Sequence, residues 1–410
     1  MNLLIVGGGI GGLTLGLLLE RAGIQFRVFE AVERLRILGL GIMLRPDAVQ
    51  VLTDLGLGDQ LTEFGVPLTE VAAITADGIV TETVACGRAT GAAMPLLAMH
   101  RGRLHQLLVD ALRSRVGSDR LVCGAALSDW IEDEAKIVAN FRDRRLNQPT
   151  GSAQGDALIA ADGINSVARE RLYPVEGPVR PAGVNIWRGV GPGVPPRGGH
   201  SVLVIGTSER RITVAPVAPR SGGPPLLNWV AEIRMPLEGS WHKPQWTRRG
   251  EVDEVARRFG DFRFDWLDVP AMIRGTEEVY EHPLVGLEPL PRWSTGRVAL
   301  LGDAAHPTFQ LGSGGASDAI RDAYVMMRSL SGEADVGKAL AAYQTQRREE
   351  MRNIGRGSQL GAGALTGGGE VNWAEPLDEP AAAEAPGTRA DRQTEEVGVP
   401  AAPRAERGSR

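Results

Sequence analysis

The segment that most restricts this chain is its start. An uncharged apolar run, Leu3-Leu4-Ile5-Val6, breaks at Gly7-Gly8-Gly9-Ile10-Gly11-Gly12 and resumes as Leu13-Thr14-Leu15-Gly16-Leu17-Leu18-Leu19. Four consecutive apolar residues before a glycine cluster read as a strand covered on both faces, and Leu13–Arg21 reads as a helix. The cluster holds G-x-G-x-x-G, the spacing that joins strand to helix in a dinucleotide-binding unit. Gly7 makes the tight turn, Gly9 lets a pyrophosphate reach the backbone, and Gly12 lets the helix pack on the strand, with Gly11 between them. The helix N-terminus then offers unpaired N–H groups and a partial positive charge to an anion. By hydropathy alone Leu3–Leu19 resembles a signal peptide. It lacks a preceding basic stretch and a small-residue cleavage site, and six of its residues are glycine. No other long apolar run follows, so a soluble cytoplasmic protein is expected, with no membrane partner.

Phe26–Phe29 reads as the second strand, and Glu30 ends it 18 residues after Gly12, with Ala31 next. A carboxylate there accepts hydrogen bonds from ribose hydroxyls and repels a 2′-phosphate. The site therefore favours an adenosine diphosphate with a free ribose, in FAD or NAD. Pro46 opens a helix that Gly56 closes, and Leu104, Leu107, Leu108, Ala111 and Leu112 share a helical face. Strands alternating with helices imply a parallel sheet. Between about 180 and 290, Pro and Gly punctuate short strand candidates at Ser201–Ile205, Arg211–Val217 and Leu226–Ile233, which read as an inserted mixed sheet. Arg297–Leu301 returns to the buried-strand pattern, and helices follow at about 316–330 and 337–356.

Two further strand ends carry a carboxylate beside glycine. One is Leu158-Ile159-Ala160-Ala161-Asp162-Gly163, running on to Arg169. The other is Val298-Ala299-Leu300-Leu301-Gly302-Asp303-Ala304-Ala305-His306-Pro307. Gly312-Ser313-Gly314-Gly315-Ala316 then precedes a helix and offers a second set of N–H groups, here to an electron-rich ring edge. A plain NAD enzyme needs only the first loop. Three strand-end sites suit a long cofactor such as FAD. A net charge of -5 with no basic block argues against nucleic acid. Two cysteines and six scattered histidines give no metal-ligand pattern, so no metal is expected.

In this order the motifs resemble those of the class A, single-component FAD-dependent aromatic monooxygenases, the p-hydroxybenzoate hydroxylase-like family, over roughly residues 1–360. Trp187-Arg188-Gly189, Asn228-Trp229-Val230, Pro289-Leu290-Pro291-Arg292-Trp293 and Gly315-Ala316-Ser317 resemble its phenazine-hydroxylase branch. The resemblance implies an α/β fold: a Rossmann-like, glutathione-reductase-type FAD-binding domain, an inserted mixed-sheet substrate domain and C-terminal helices. The expected division is FAD-binding domain at 1–75, 101–180 and 291–360, substrate domain at 76–100 and 181–290, and a disordered tail at 361–410, rich in Gly, Pro, Ala, Glu and Arg.

It further implies that Gly7, Gly9, Gly11, Gly12, Glu30 and Ala31 hold the ADP half. Arg36 and Arg101 lie near the cofactor, Asp162 and Arg169 serve FAD and nicotinamide, Asp303 binds the ribityl chain, and Gly314, Gly315 and Ala316 follow the isoalloxazine edge. The implied reaction takes hydride from NADH or NADPH, activates O2 as a flavin C4a-hydroperoxide and hydroxylates a planar aromatic or heteroaromatic substrate. No side chain acts as catalytic acid or base. Epoxidation, Baeyer–Villiger oxidation or reduction on the same fold is the alternative, and a non-catalytic flavin protein a remote third. A monomer or homodimer is expected.

Two positions depart from the family pattern. Gln310 stands where a proline is usual after Pro307, and Gly314 where the branch usually has asparagine. Both fall beside the reacting face. Candidate substrate contacts are Met43, Arg45, Trp187 and Phe309. Core packing competes for Trp187 and a surface role for Arg45, and a structural role is favoured for His306.

Overall fold

The computed structural model describes residues 1–35, 40–177, 180–218, 223–236, 248–307 and 314–364, with side chains at 180–181 and 353–364 excepted. Arg36, Phe309 and Gln310 lie outside the described residues, as does the tail expected at 361–410 from residue 365 on, whereas its first four residues belong to the helix Val336–Ala364.

A six-stranded sheet runs in the order Ser294–Thr295, Val298–Leu300, Ala157–Ala160, Asn2–Val6, Gln25–Glu30 and Leu121–Cys123, parallel apart from its first pair. Its central strand is hydrophobic without alternation because both faces are covered. Leu3, Leu4 and Ile5 are fully buried. The helix Ile10–Arg21 is buried from Ile10 through Leu19, and packs on helices Gly314–Gly332 and Arg101–Val116. The apolar run that imitates a leader is thus a strand, a turn and a helix at the centre of the main core. Among the described residues no helix is long and apolar enough to cross a membrane.

A seven-stranded sheet runs in the order Tyr280–Gly286, Arg180–Pro192, Leu226–Arg234, Arg210–Val217, Ser201–Gly206, Glu70–Ile74 and Val80–Ala85. It is antiparallel except where Ser201–Gly206 meets Glu70–Ile74. The hairpin Glu70–Ile74/Val80–Ala85 belongs to it, so the expected boundary at 75/76 falls inside a hairpin. Leu96–His100 instead pairs with Gly41–Leu44 and Gly65–Leu68 in a small sheet. A further antiparallel sheet joins Ala126–Glu132, Ile137–Arg142 and Pro149–Gly155.

The seven-stranded sheet separates two environments. Trp187, Trp229 and Ala231 point into a core shared with Phe259, Phe262 and Met272 from the region of helices Val252–Arg258 and Val269–Arg274. Their neighbours Ile186, Arg188 and Val230 point the other way, as a pleat of period two requires.

Candidate active site

Register brings the three glycine turns together. Val6 pairs with Ala160, and Ala160 with Leu300, in adjacent parallel strands, so all three strands end at one level. The ladder continues one step, with Ala161 N donating to Val6 O at 2.7 Å and Leu301 N to Ala160 O at 2.8 Å. Residues separated by some 150 positions thus turn at the same sheet edge, where open α/β sheets bind ligands.

The first turn is built by backbone. Gly7 has φ +107°, and a Cβ there would lie 2.3 Å from Ala161 O. A Cβ on Gly12 would lie 2.0 Å from Gly7 O. Gly9 differs: a Cβ there would meet nothing within 4 Å. Packing therefore requires glycine at positions 7 and 12, while Gly9 leaves bare backbone facing open space. Glu30 locks the turn, accepting from Gly8 N at 2.7 Å and from Val32 N at 2.9 Å. His105 Nε2 lies 2.7 Å from Gly8 O. It stands one helical turn after Arg101, and that spacing was the available sequence signal.

These turns open into one cavity of about 360 Å³. Gly9, Gly11, Ala161, Gly163, Gly302, Asp303, Pro307 and Gly314–Ala316 line one side, with Arg101 and Met43. The face of the seven-stranded sheet lines the other through Ile186, Arg188, Val230, His282 and Leu284. Asp303 accepts no hydrogen bond from the described residues, which leaves a carboxylate facing the cavity. Burial pushes it up, and His306 and Arg101 pull it down; the net direction is up. Burial lowers the Arg101 guanidinium, partly offset by Asp303. Burial and Arg188 hold His282 down at about 4, so it is neutral at neutral pH.

Behind the third turn lies a buried polar network. Asp322 accepts from Gly302 N at 2.7 Å and from Arg347 Nε at 2.6 Å, and lies 2.7 Å from His306 Nε2. Asp322 and Arg347 are fully buried. Burial raises Asp322, but His306 and Arg347 bring it to about 2. Burial lowers His306, and Asp322 more than offsets this. His306 is therefore held as a structural partner of the Gly-Asp turn.

Gly7, Gly12, Glu30 and Ala31 stand behind the cavity lining, and Asp162, Arg169, Arg45 and Trp187 do not line it either. Asp162 turns back, accepting from Val167 N at 3.0 Å at the start of the helix Val167–Leu172, so backbone at Ala161 and Gly163 lines the cavity instead. Arg169 is buried and committed to Glu176 and to the carbonyls of Ala304, Ala305 and Glu288. It ties the second turn to the third and has no N–H left for a cofactor. Arg45 pairs with Asp318 at 2.6 Å and donates its backbone N–H to Ser317 Oγ. Trp187 faces the opposite core; strand parity gives the cavity its neighbours Ile186 and Arg188. Sequence reasoning missed Ile186, Val230, His282 and Leu284, because alternation cannot say which face meets a ligand.

The donor set fits FAD: an open glycine backbone at a helix N-terminus, an uncommitted carboxylate, and a second glycine-rich helix start on one cavity. Comparison with known proteins agrees. The family model "FAD binding domain" matches residues 1–251. The chain is 35% identical over 351 residues to phenazine 1,6-dicarboxylic acid hydroxylase of Lysobacter antibioticus, covering 85% of this chain and 86% of that one. It is 33% identical over 365 residues to aurachin C monooxygenase/isomerase of Stigmatella aurantiaca, covering 87% and 88%. The crystal structure of Klebsiella pneumoniae HpxO complexed with FAD and uric acid superposes with TM-score 0.71 at 25% identity, covering 86% of each chain. The chain belongs to the class A FAD-dependent aromatic monooxygenases, which fold as a Rossmann-like sheet, a mixed substrate sheet and C-terminal helices.

Proposed function

We propose that this enzyme hydroxylates a planar aromatic or heteroaromatic substrate with NADH or NADPH and O2. The observation that carries the reading is the shared cavity, with glycine turns on one side and, on the other, a sheet face of aliphatic residues with Arg188 and His282. Gly7–Gly12 and Glu30 would hold the adenylate half of FAD, Asp303 the ribityl chain, and the N–H groups at Gly314–Ala316 the ring edge. Bound FAD supplies the redox chemistry, taking two electrons from the nicotinamide and activating O2.

The chain's own residues supply place and dryness. Ile186, Val230 and Leu284 exclude water from the reacting face. With Ile42 and Met43 they form a slot for a flat ring, which fixes the approach of the attacked carbon. His282 remains neutral beside the ring and adds no charge to the wall. The match to phenazine 1,6-dicarboxylic acid hydroxylase supports a fused heteroaromatic substrate class.

The test is to purify the yellow holoprotein and screen planar aromatics for accelerated NAD(P)H consumption under labelled O2. The expected result is one labelled oxygen atom in the product. A product reduced without oxygen gain, or no substrate-dependent consumption across the panel, contradicts the reading.

A further inference from the structure

One histidine serves the first turn from behind. His105 lies on the helix Arg101–Val116, one turn after Arg101. Arg101 lines the cavity and His105 does not. Packing fixes that helix: Leu104, Leu108 and Leu112 are fully buried, and a Cβ on Gly16 would lie 3.2 Å from Leu112 Cδ1, so it sits hard against the helix Ile10–Arg21. His105 Nε2 lies 2.7 Å from Gly8 O. A carbonyl oxygen only accepts, so Nε2 carries the hydrogen and donates. The other polar groups of the turn are already placed. Gly7 N donates to Phe29 O at 2.7 Å, Gly8 N to Glu30 Oε2 at 2.7 Å, and Leu13 N to Gly9 O at 3.0 Å. Gly9 N–H has no such partner among the described residues, and no side chain caps the helix that Gly9 opens. Gly8 O and Gly9 N–H belong to one planar trans peptide, in which C=O and N–H point opposite ways. Holding the oxygen toward His105 therefore turns Gly9 N–H to the other side, where Gly9 meets the cavity.

We propose that His105 is a positioning residue for the pyrophosphate of FAD: by holding Gly8 O it aims Gly9 N–H at the anion. This rests on the reading that Gly7–Gly12 hold the adenylate half of FAD. The glycines that make the turn compact also leave its peptides free to rotate. Glu30 fixes the Gly7–Gly8 peptide through Gly8 N, and His105 fixes the next one through Gly8 O. A hydrogen bond to phosphate is charge-assisted and weakens with misalignment, so an N–H aimed in advance binds the anion better than one that must turn. Riboflavin and adenosine carry no phosphate and make no use of this peptide.

The test measures ligand affinities of the flavin-free full-length chain. FAD and riboflavin are titrated by flavin fluorescence, and ADP and adenosine by competition with FAD. In the wild type ADP should compete at least about tenfold better than adenosine. His105→Leu should weaken FAD and ADP about ten- to hundredfold, and riboflavin and adenosine by less than about threefold. His105→Gln, whose side-chain amide donates, should restore most of the ADP preference. His105→Asn, with the same amide on a shorter stem, should not. The Gln and Asn variants decide the matter even if the leucine variant does not fold. A role confined to packing would lower all four affinities together, or leave the Gln and Asn variants alike. Either result, or an ADP preference that survives His105→Leu, would overturn the proposal and spare the adenylate reading. A wild type that does not distinguish ADP from adenosine would count against that reading of the glycine turn, and the proposal would fall with it.

Discussion

The two sides of the cavity are made differently. The side formed by the six-stranded sheet is mostly backbone: glycine turns, helix N-termini and one free carboxylate at aligned strand ends. The side formed by the seven-stranded sheet is side chain: the aliphatic residues Ile186, Val230, Leu284 and Val285 with Pro283, a guanidinium and an imidazole. Backbone recognition demands particular residues at fixed spacings, since only glycine tolerates the approach. Side-chain recognition demands only a face, and the residues on it follow the ligand. One fold can thus keep one cofactor and change its substrate.

The sharpest way to break this comparison is to put methyl groups on the turn. Gly12→Ala drives a Cβ to 2.0 Å from Gly7 O. It should cost about 3 kcal/mol of stability and abolish flavin retention. Gly9→Ala meets open space within 4 Å, so the melting temperature of the flavin-free protein should hold while FAD affinity falls. Thermal denaturation with and without FAD separates the two. Equal destabilisation by both would refute a ligand-directed role for Gly9.

Asp303→Ala should raise the FAD Kd ten- to hundredfold, the value of a charged hydrogen bond of about 1.5–3 kcal/mol. Flavin fluorescence titration measures it. An unchanged Kd would remove Asp303 from the cofactor's grip.

These predictions follow the part of the molecule that was legible in sequence. Gly7, Gly12 and Glu30 stand in a spacing with one common structural solution, and Leu3–Val6 had to be a covered strand. Asp162 and Arg169 both stand at the second turn, but their hydrogen bonds run to protein groups. A carboxylate five residues before a helix start finds free N–H groups locally, and a buried arginine satisfies itself with the nearest carbonyls. Trp187 was chosen for its aromatic ring. In a strand whose two faces are both buried, sequence alone does not reveal which parity meets the ligand, so the residues on either side of Trp187 were missed.

The substrate wall has a pH signature. His282 is depressed to about 4 from 6.5 in the folded state. As pH falls below 6.5 the unfolded chain takes up this proton first, so native stability declines down to about pH 4, by at most about 1.4 kcal/mol per pH unit. His282→Gln should flatten that part of the profile. Parallel wild-type and variant curves from chemical denaturation between pH 7 and 5 would contradict the burial of a neutral imidazole.

The smallest effect tests strand parity. Trp187→Phe should cost about 1 kcal/mol in stability and leave KM unchanged for any accepted substrate, because the ring packs in the other core. Ile186→Ala should raise KM. A Trp187→Phe change in KM matching that of Ile186→Ala would place both residues on the ligand face and reverse the assignment.

The central claim is that three distant turns grip one elongated cofactor, and comparing FAD with FMN on the flavin-free protein tests it most directly. FMN has the ring, the ribityl chain and one phosphate, but not the adenylate that Gly7–Gly12 and Glu30 would hold. One FAD should bind per chain, at least a hundredfold tighter than FMN. Equal affinity for the two, or no uptake of FAD, would contradict the account.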